Sequence, residues 1–377
     1  MQLTRFPKND IISLVGEAPR YDLGESVGPD LQLAELLNAA DLDEMALGYG
    51  TVAGDPRLRE AIAAMYDVDA DDVIITVGGI HALFLIAFIL CNRGDEAVTT
   101  SPLFPQARNA LDVVGAKVHT LQLSFDQGYQ LDPADLRKHL SPSTRLVSLA
   151  SPQNPSGVAI PPHVLSEILA LLEEVCPQAY LLVDETYREA AYGNNPVAKS
   201  AVALSPKIIS VTSLSKCHGA PGLRLGWAIT RDPALREQLL LGKFNTVISC
   251  SPLCETLALS VLTQSESIIA ERRQLLAAGR AKTAEWVREN GELVDWVQPD
   301  AGAICCVRLK PAAFDDNAVS RFYDALARED TRVANGSWFG DEARVFRLGF
   351  GLLSLPDLEV ALKALTKALK QTARTSA

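Results

Sequence analysis

The sequence predicts an α/β chain, with a mostly parallel sheet between layers of helices and a smaller α+β unit beside it. Three observations carry this expectation. Short apolar, β-branched runs alternate with longer segments of helical period, the pattern of a parallel sheet covered on both faces. After about residue 255 that alternation gives way to long helical segments and a few short strands. Apolar residues make up 48 % and charged residues 21 % of the 377, enough to bury a sizeable core and too apolar for wholesale disorder.

In chain order the expected strands are DDVIITV (71–77), DEAVTT (95–100), TRLVSLAS (144–151), AYLLVD (179–184) and KIISVTS (207–213). Between them lie amphipathic stretches such as GIHALFLIAFIL, PQARNALDVVG and PPHVLSEILALLEEV. The second part opens with the long helix SIIAERRQLLAAGRAKTAEWVREN. It continues with strands AICCVRL (303–309) and ARVFRLGF (343–350), and closes with a helix from Asp357 to about Leu369. The first forty-odd residues, rich in Gly and Pro, are expected to pack on this smaller unit.

Charge and cysteine usage exclude several classes. Thirty-five Lys and Arg against 46 Asp and Glu leave a formal charge of −11, which argues against nucleic acid or an anionic membrane as the main partner. Seven cysteines, an odd number with one adjacent pair and no CxxC, suit a reducing cytoplasm better than a disulfide framework. The five histidines show no metal-ligand spacing, so no metal is expected. MQLTRFPKND carries acid and no apolar stretch, unlike a signal peptide, and the apolar run from Ala82 to Leu90 is too short to span a bilayer. A cytoplasmic protein is expected.

In parallel sheets ligands collect at the carboxyl ends of the strands, so polar residues just after the apolar runs are the candidates for chemistry. The most informative stretch is SVTSLSKCHGAPGLRLGW (210–227). A lysine at a strand end among small residues and hydroxyls is partly desolvated. Its pKa then falls, and it can form an imine with an aldehyde. Ser213, Ser215 and Arg224 around Lys216 suit a phosphate.

This stretch resembles the Schiff-base lysine signature of the fold-type I, pyridoxal-phosphate-dependent aminotransferases of class I/II. There S-x-S-K is followed by G-x-R-x-G, and here the elements stand as Ser213-Leu214-Ser215-Lys216 and Gly222-Leu223-Arg224-Leu225-Gly226. Other segments resemble the family in the same order. In AYLLVDETYREA the pattern D-x-x-Y implies Asp184 on the pyridine nitrogen and Tyr187 on the ring hydroxyl oxygen. In SPQNPSG (151–157) the literal N-P-S-G implies Asn154 on that same oxygen, and also on the substrate carboxylate. Gly78-Gly79 between a strand and a helix implies a phosphate cradle, with the backbones of Gly79 and Ile80 as donors. Phe104 of SPLFPQ takes the position of the ring stacked on the pyridine, where the family usually has Tyr or Trp.

Three further positions complete the resemblance. GYGTVAGDPRLREAI (48–62) implies that Tyr49 reaches the cofactor phosphate of a partner subunit, and hence a homodimer. Arg347 of ARVFRLGFG matches the arginine that binds the substrate α-carboxylate, with Arg344 as competitor. An odd offset along a strand turns those two to opposite faces. LVGEAP (14–19) resembles the N-terminal G-E-P segment, with Gly16 as a backbone contact to substrate, although Ala18 intervenes before the proline.

The resemblance implies a large domain over residues 46–275 with a mostly parallel, seven-stranded-type sheet. A small C-terminal domain over 276–377 and an N-terminal segment, 1–45, packing on it complete the expected fold. The implied activity is transfer of the amino group of an L-amino acid to a 2-oxo acid through Lys216 and pyridoxal 5'-phosphate. A C–S lyase, decarboxylase or cyclase is the alternative on the same constellation. A non-catalytic ligand sensor of this fold would carry an N-terminal DNA-binding helix-turn-helix, and none precedes the G-E-P-like segment.

Overall fold

The structure is a computed structural model, and it describes residues 6–36 and 45–374. A short strand β1 (Tyr21–Asp22) and helix α1 (Leu33–Leu36) precede the main body. Helix α2 (Pro56–Tyr66) starts where Asp55 accepts a hydrogen bond from the Arg57 N–H, with proline at the first helical position. Strands and helices then alternate: β2 (Val73–Thr76), α3 (Gly78–Leu90), β3 (Glu96–Ser101), α4 (Pro105–Val114), β4 (Lys117–Gln122), α5 (Pro133–Arg137), β5 (Thr144–Ala150), α6 (Pro162–Val175), β6 (Tyr180–Asp184), β7 (Ile208–Ser213) and β8 (Gly226–Thr230).

These strands form one seven-stranded sheet in the order β2-β8-β7-β6-β5-β3-β4. All neighbours run parallel except around β8, which is antiparallel to both β2 and β7. Both faces are buried, as the apolar runs require. Leu181 and Val183 of β6 pack with Leu165, Ile168 and Leu172 of α6. Leu182, between them, packs on the other face with Leu83 and Ile86 of α3. A third cluster joins Leu58 and Ile62 of α2 to Val73, Ile75 and the buried Trp227. The mostly parallel sheet expected from sequence is therefore present.

Two strands of this sheet were not among the runs read from sequence. Strand β4, KVHTLQ, lies at the sheet edge and alternates too many polar side chains to register as an apolar run. Strand β8, GWAIT, is short and follows the Arg224 turn without a helical spacer.

The chain continues through α7 (Pro233–Val247), α8 (Pro252–Thr263) and α9 (Ser265–Glu289), then β9 (Val294–Val297), β10 (Ile304–Leu309), α10 (Asp316–Arg328), β11 (Thr331–Arg332), β12 (Ala334–Asn335), β13 (Val345–Gly349) and α11 (Leu355–Thr372). Helix α9 runs unbroken through residue 275, where the domain divide was expected. An antiparallel sheet, β12-β13-β10-β9, packs with α10 and α11 around Phe314, Phe322, Phe346 and Leu365. Strand β1 pairs with β11 in a separate two-stranded sheet, and the Gly349 N–H of β13 donates to the Leu23 carbonyl, so residues near the amino end are tied to this smaller unit. Among the described residues no helix is long and apolar enough to cross a membrane.

Candidate active site

The carboxyl ends of β5, β6 and β7 converge on one recess, and the smaller sheet closes it from the side. Asp184 is the last residue of β6, and Lys216 stands three residues beyond Ser213, the last of β7. The Lys216 Nζ donates to Ser26 Oγ at 3.0 Å. Burial first, then the positive charges of Arg347 and Arg224, pulls the amine from its ordinary value to about 8, against Glu25 and Asp184, which hold the proton on. A nucleophilic fraction of free amine is thus available near neutral pH.

Asp184 Oδ1 accepts from the Thr186 N–H at 3.0 Å and from the Thr186 hydroxyl at 2.5 Å. Burial raises its pKa despite those bonds and despite Lys216. Its Oδ2 accepts no hydrogen bond among the described residues, so this carboxylate has capacity for a cationic or N–H partner. The adjacent Glu185 is turned away: it accepts from Ser200 at 2.6 Å, the Ala201 N–H at 2.7 Å and Ser210 at 2.5 Å.

Two buried polar atoms nearby have no hydrogen-bond partner among the described residues. The Tyr187 hydroxyl is one; burial pushes it up to about 12, although Arg347 and Ser26 pull the other way. The other is Nε of Arg347, a side chain only 2 % exposed. Arg347 donates from Nη1 to Asn154 Oδ1 at 2.9 Å and from Nη2 to the Gly24 carbonyl, and its guanidinium lies 4.7 Å over the Phe339 ring. Both donors are free to meet a bound group. Arg344 leaves the recess and pairs with Asp316 at 2.8 Å, as the odd offset predicts.

A second cradle lies at the start of α3. That helix has no side-chain cap on its amino end. Gly78 has φ +72°, and a Cβ there would stand 2.7 Å from Arg224 Nη2, so only glycine lets the guanidinium approach the helix terminus. Arg224 is exposed, in the left-handed region at φ 48°, with Nη1 donating to the Pro221 carbonyl at 2.9 Å. Ser213 and Ser215 are buried alongside, the Ser215 N–H donating to Ser213 Oγ at 3.3 Å. Gly79 is partly buried and Ile80 is 45 % exposed. His81 turns back on the helix start, its Nδ1 accepting from the Val77 N–H at 3.2 Å. Burial, with Lys243 nearby, lowers its pKa to about 4.

Three further expected residues lie on segments other than those that carry Lys216 and Asp184. Phe104 caps α4 and packs with Ile11, Leu14, Trp338 and Phe339, so its neighbours come mostly from outside the large sheet. Tyr49 is 85 % exposed. Gly16 is exposed with open space around it, and it is Gly24, not Gly16, whose carbonyl meets Arg347. The segment LGESVGP (23–29) enters the site through Gly24 and Ser26. Its own Gly-Glu and Gly-Pro pairs were the available signal, masked by the more literal GEAP upstream.

This arrangement, a lysine and a carboxylate on adjacent strand ends with a helix amino terminus opposite, is that of the fold-type I pyridoxal-phosphate enzymes. The chain belongs to the aminotransferase class I and II family, whose profile matches residues 11–365. It is 31 % identical over 340 residues to a capreomycidine synthase of Streptomyces vinaceus, covering 90 % of this chain and 85 % of that one. It is also 31 % identical over 338 residues to a valine–pyruvate aminotransferase of Mycobacterium tuberculosis, covering 86 % and 84 %. Among solved structures, the PLP-dependent cyclase OrfR superposes with a TM-score of 0.85 at 27 % identity, covering 97 % of this chain and 98 % of that one.

Members of this family are pyridoxal-phosphate-dependent enzymes, and the residues present fit that group. An uncapped helix start with Arg224 against it suits a phosphate. The open Oδ2 of Asp184 suits a protonated ring nitrogen, and the orphaned Tyr187 hydroxyl suits a ring oxygen.

Proposed function

We propose that this chain is an aminotransferase that moves the amino group of an L-amino acid to a 2-oxo acid. The observation that carries this reading is one cluster: the Lys216 amine, lowered to about 8, beside an open carboxylate, an unpartnered phenol and an unpartnered guanidinium edge. Bound pyridoxal 5'-phosphate would supply the aldehyde for the amine and an electron sink for the substrate's Cα–H bond. Gly79, Ile80, Ser213, Ser215 and Arg224 would hold its phosphate, with Asp184 on the ring nitrogen and Asn154 and Tyr187 on the ring oxygen. Phe104 would lie on the ring face.

Arg347 fixes the substrate carboxylate with the guanidinium edge left free in the chain. Lys216, once displaced by the substrate amine, would take the Cα proton and deliver it to the cofactor's former aldehyde carbon, C4′. Asp184 stays charged because the ring nitrogen carries the proton, and that removes the cost its burial would otherwise impose.

We further propose a homodimer. Ile80 and Phe88 of α3 and Leu241 and Phe244 of α7 are exposed, and the two helices are joined by His81 Nε2 and Thr246 Oγ1 at 3.2 Å. Large exposed apolar faces mark interaction surfaces. Tyr49 would cross this interface to the partner's phosphate. A cyclase is the second reading, favoured by the likeness to OrfR over nearly the whole chain.

The test uses the purified protein loaded with pyridoxal phosphate. A visible absorbance, lost on borohydride reduction with the label on Lys216, is expected. Amino transfer to pyruvate or 2-oxoglutarate supports the first reading. A cyclised or eliminated product without 2-oxo acid dependence replaces it with the second.

A further inference from the structure

The segment 23–29 carries one acid, Glu25, near enough to both Lys216 and Arg347 for its charge to act on them, and no step above uses it. Gly24 accepts from Arg347 through its carbonyl, and Ser26 accepts from Lys216 at 3.0 Å, so Glu25 is bracketed by contacts to the two site cations. Its backbone is docked hard on β13: a Cβ at Gly349 would stand 1.9 Å from the Glu25 carbonyl oxygen, and the Gly349 N–H donates to the Leu23 carbonyl at 2.7 Å. The placement of Glu25 is therefore built into the fold.

Its carboxylate is half-buried and, among the described residues, accepts one hydrogen bond, from the Ser26 N–H to Oε2 at 3.2 Å. Among the described residues it makes no ion pair. The contrast with Asp22, three residues earlier, is sharp: Asp22 is 3 % exposed, bidentate to Arg332 and bonded to the Gly24 N–H at 2.8 Å. Glu25 instead stands in the field of Lys216 and Arg347, and of all charges near Lys216 it opposes loss of the proton most.

Both neighbouring cations are spoken for once a substrate enters. Lys216 must be uncharged to act as the base, and Arg347 would be neutralised by the substrate carboxylate. Glu25 would then remain a partly desolvated anion beside a second anion. A dicarboxylic side chain adds a third negative charge, and an apolar one leaves the acid unpaired. A guanidinium or ammonium group satisfies it, the former through two parallel hydrogen bonds.

We propose that Glu25 is a specificity-determining residue that receives the cationic end of a basic amino-acid substrate. The inference rests on the reading of Arg347 and Lys216 given above.

The test pairs charged substrates with neutral near-isosteres: arginine against citrulline, and lysine against norleucine. The concentration giving half of the spectral change on mixing with cofactor-loaded protein is measured, a readout independent of which product follows. Wild type is expected to favour the charged member by about tenfold or more. Glu25→Gln should bring the ratio close to one, and Glu25→Asp should keep part of it. Equal response of wild type to both members, or a preference that survives Glu25→Gln, overturns the proposal. Borohydride trapping of Lys216 in each protein separates the two levels. Trapping without discrimination sinks the substrate class alone, whereas no trapping sinks the reading of the site.

Discussion

The recess has a floor and a strap, and they are built by different means. Lys216, Asp184 and Asn154 stand within four residues of the ends of β7, β6 and β5. Hydrogen bonding between those strands fixes their spacing: Asp184 is in register with Val211, and Ala150 with Asp184. The strap, residues 21–29, has two residues of strand and is held by tertiary contacts: Asp22 to Arg332, Leu23 to Gly349, Gly24 to Arg347. On the proposed function, reaction chemistry would belong to the hydrogen-bonded strand ends. Recognition would belong to a segment whose position depends on a distant part of the chain.

The floor can be broken at one atom. Lys216→Ala removes both the amine that meets the cofactor and the base, so kcat should fall on the order of ten-thousand-fold or more, with no borohydride-reducible lysine. Steady-state turnover with mass analysis of the reduced protein checks it; wild-type turnover would sink the assignment. Arg347 joins floor to strap. Arg347→Gln strips the carboxylate partner and leaves Gly24 and Asn154 without their donor, so kcat/KM should drop by about a hundredfold or more. Arg344→Gln, on the opposite face, should leave kcat/KM within about twofold. If the two arginines exchanged these effects, the face assignment would be inverted.

The same division explains what was legible. Strand ends are local features: an apolar run closing on Asp184, or on Ser213 with Lys216 three residues later, is visible in the letters, and the sheet confirms their convergence. Strand period set Arg344 and Arg347 on opposite faces, the R-L-x-F context chose between them, and Arg344 is turned out to Asp316. The strap was read at Gly16, because GEAP matches a G-E-P pattern more literally than GESVGP. What decides between them is a backbone approach, Gly349 against Glu25, between residues more than three hundred positions apart. No local pattern encodes that contact. Strand β4 was missed for a related reason: an edge strand with partly exposed faces has little apolar signal.

A smaller effect tests the floor without turnover. In cofactor-free protein Lys216 falls to about 8 from an ordinary 10.5, so the folded state binds fewer protons than the unfolded one between those values. Stability therefore rises with pH across that window, and below about 8 the full cost of burying the ammonium is carried. Lys216→Met should stabilise the cofactor-free protein by about 1–2 kcal/mol at pH 7, allowing for partial solvent access. The gain should vanish as pH approaches 10.5. Urea unfolding at pH 7 and 10 measures this. A gain that does not change with pH would show that the methionine packs better, not that the ammonium was costly.

The smallest effect is expected at a second strap, residues 48–55, which begins at the surface. Tyr49 is 85 % exposed, and the segment that carries it is anchored further along, at Asp55. The Asp55 N–H donates to Glu255 Oε2 at 3.0 Å, and a Cβ on Gly50 would touch the Cys250 carbonyl at 3.5 Å. An exposed ring on an anchored segment is poised to contact another surface. Loss of one hydroxyl contact to a charged phosphate, among several donors, is worth about 1.5–3 kcal/mol at most. Tyr49→Phe should therefore weaken retention of pyridoxal phosphate by about tenfold while the sedimentation behaviour of the protein stays unchanged. Dialysis with readout of the bound absorbance measures it. Unaltered retention would place the Tyr49 hydroxyl away from the partner's phosphate, and it would confine cofactor binding to the sheet edge and α3 of a single subunit.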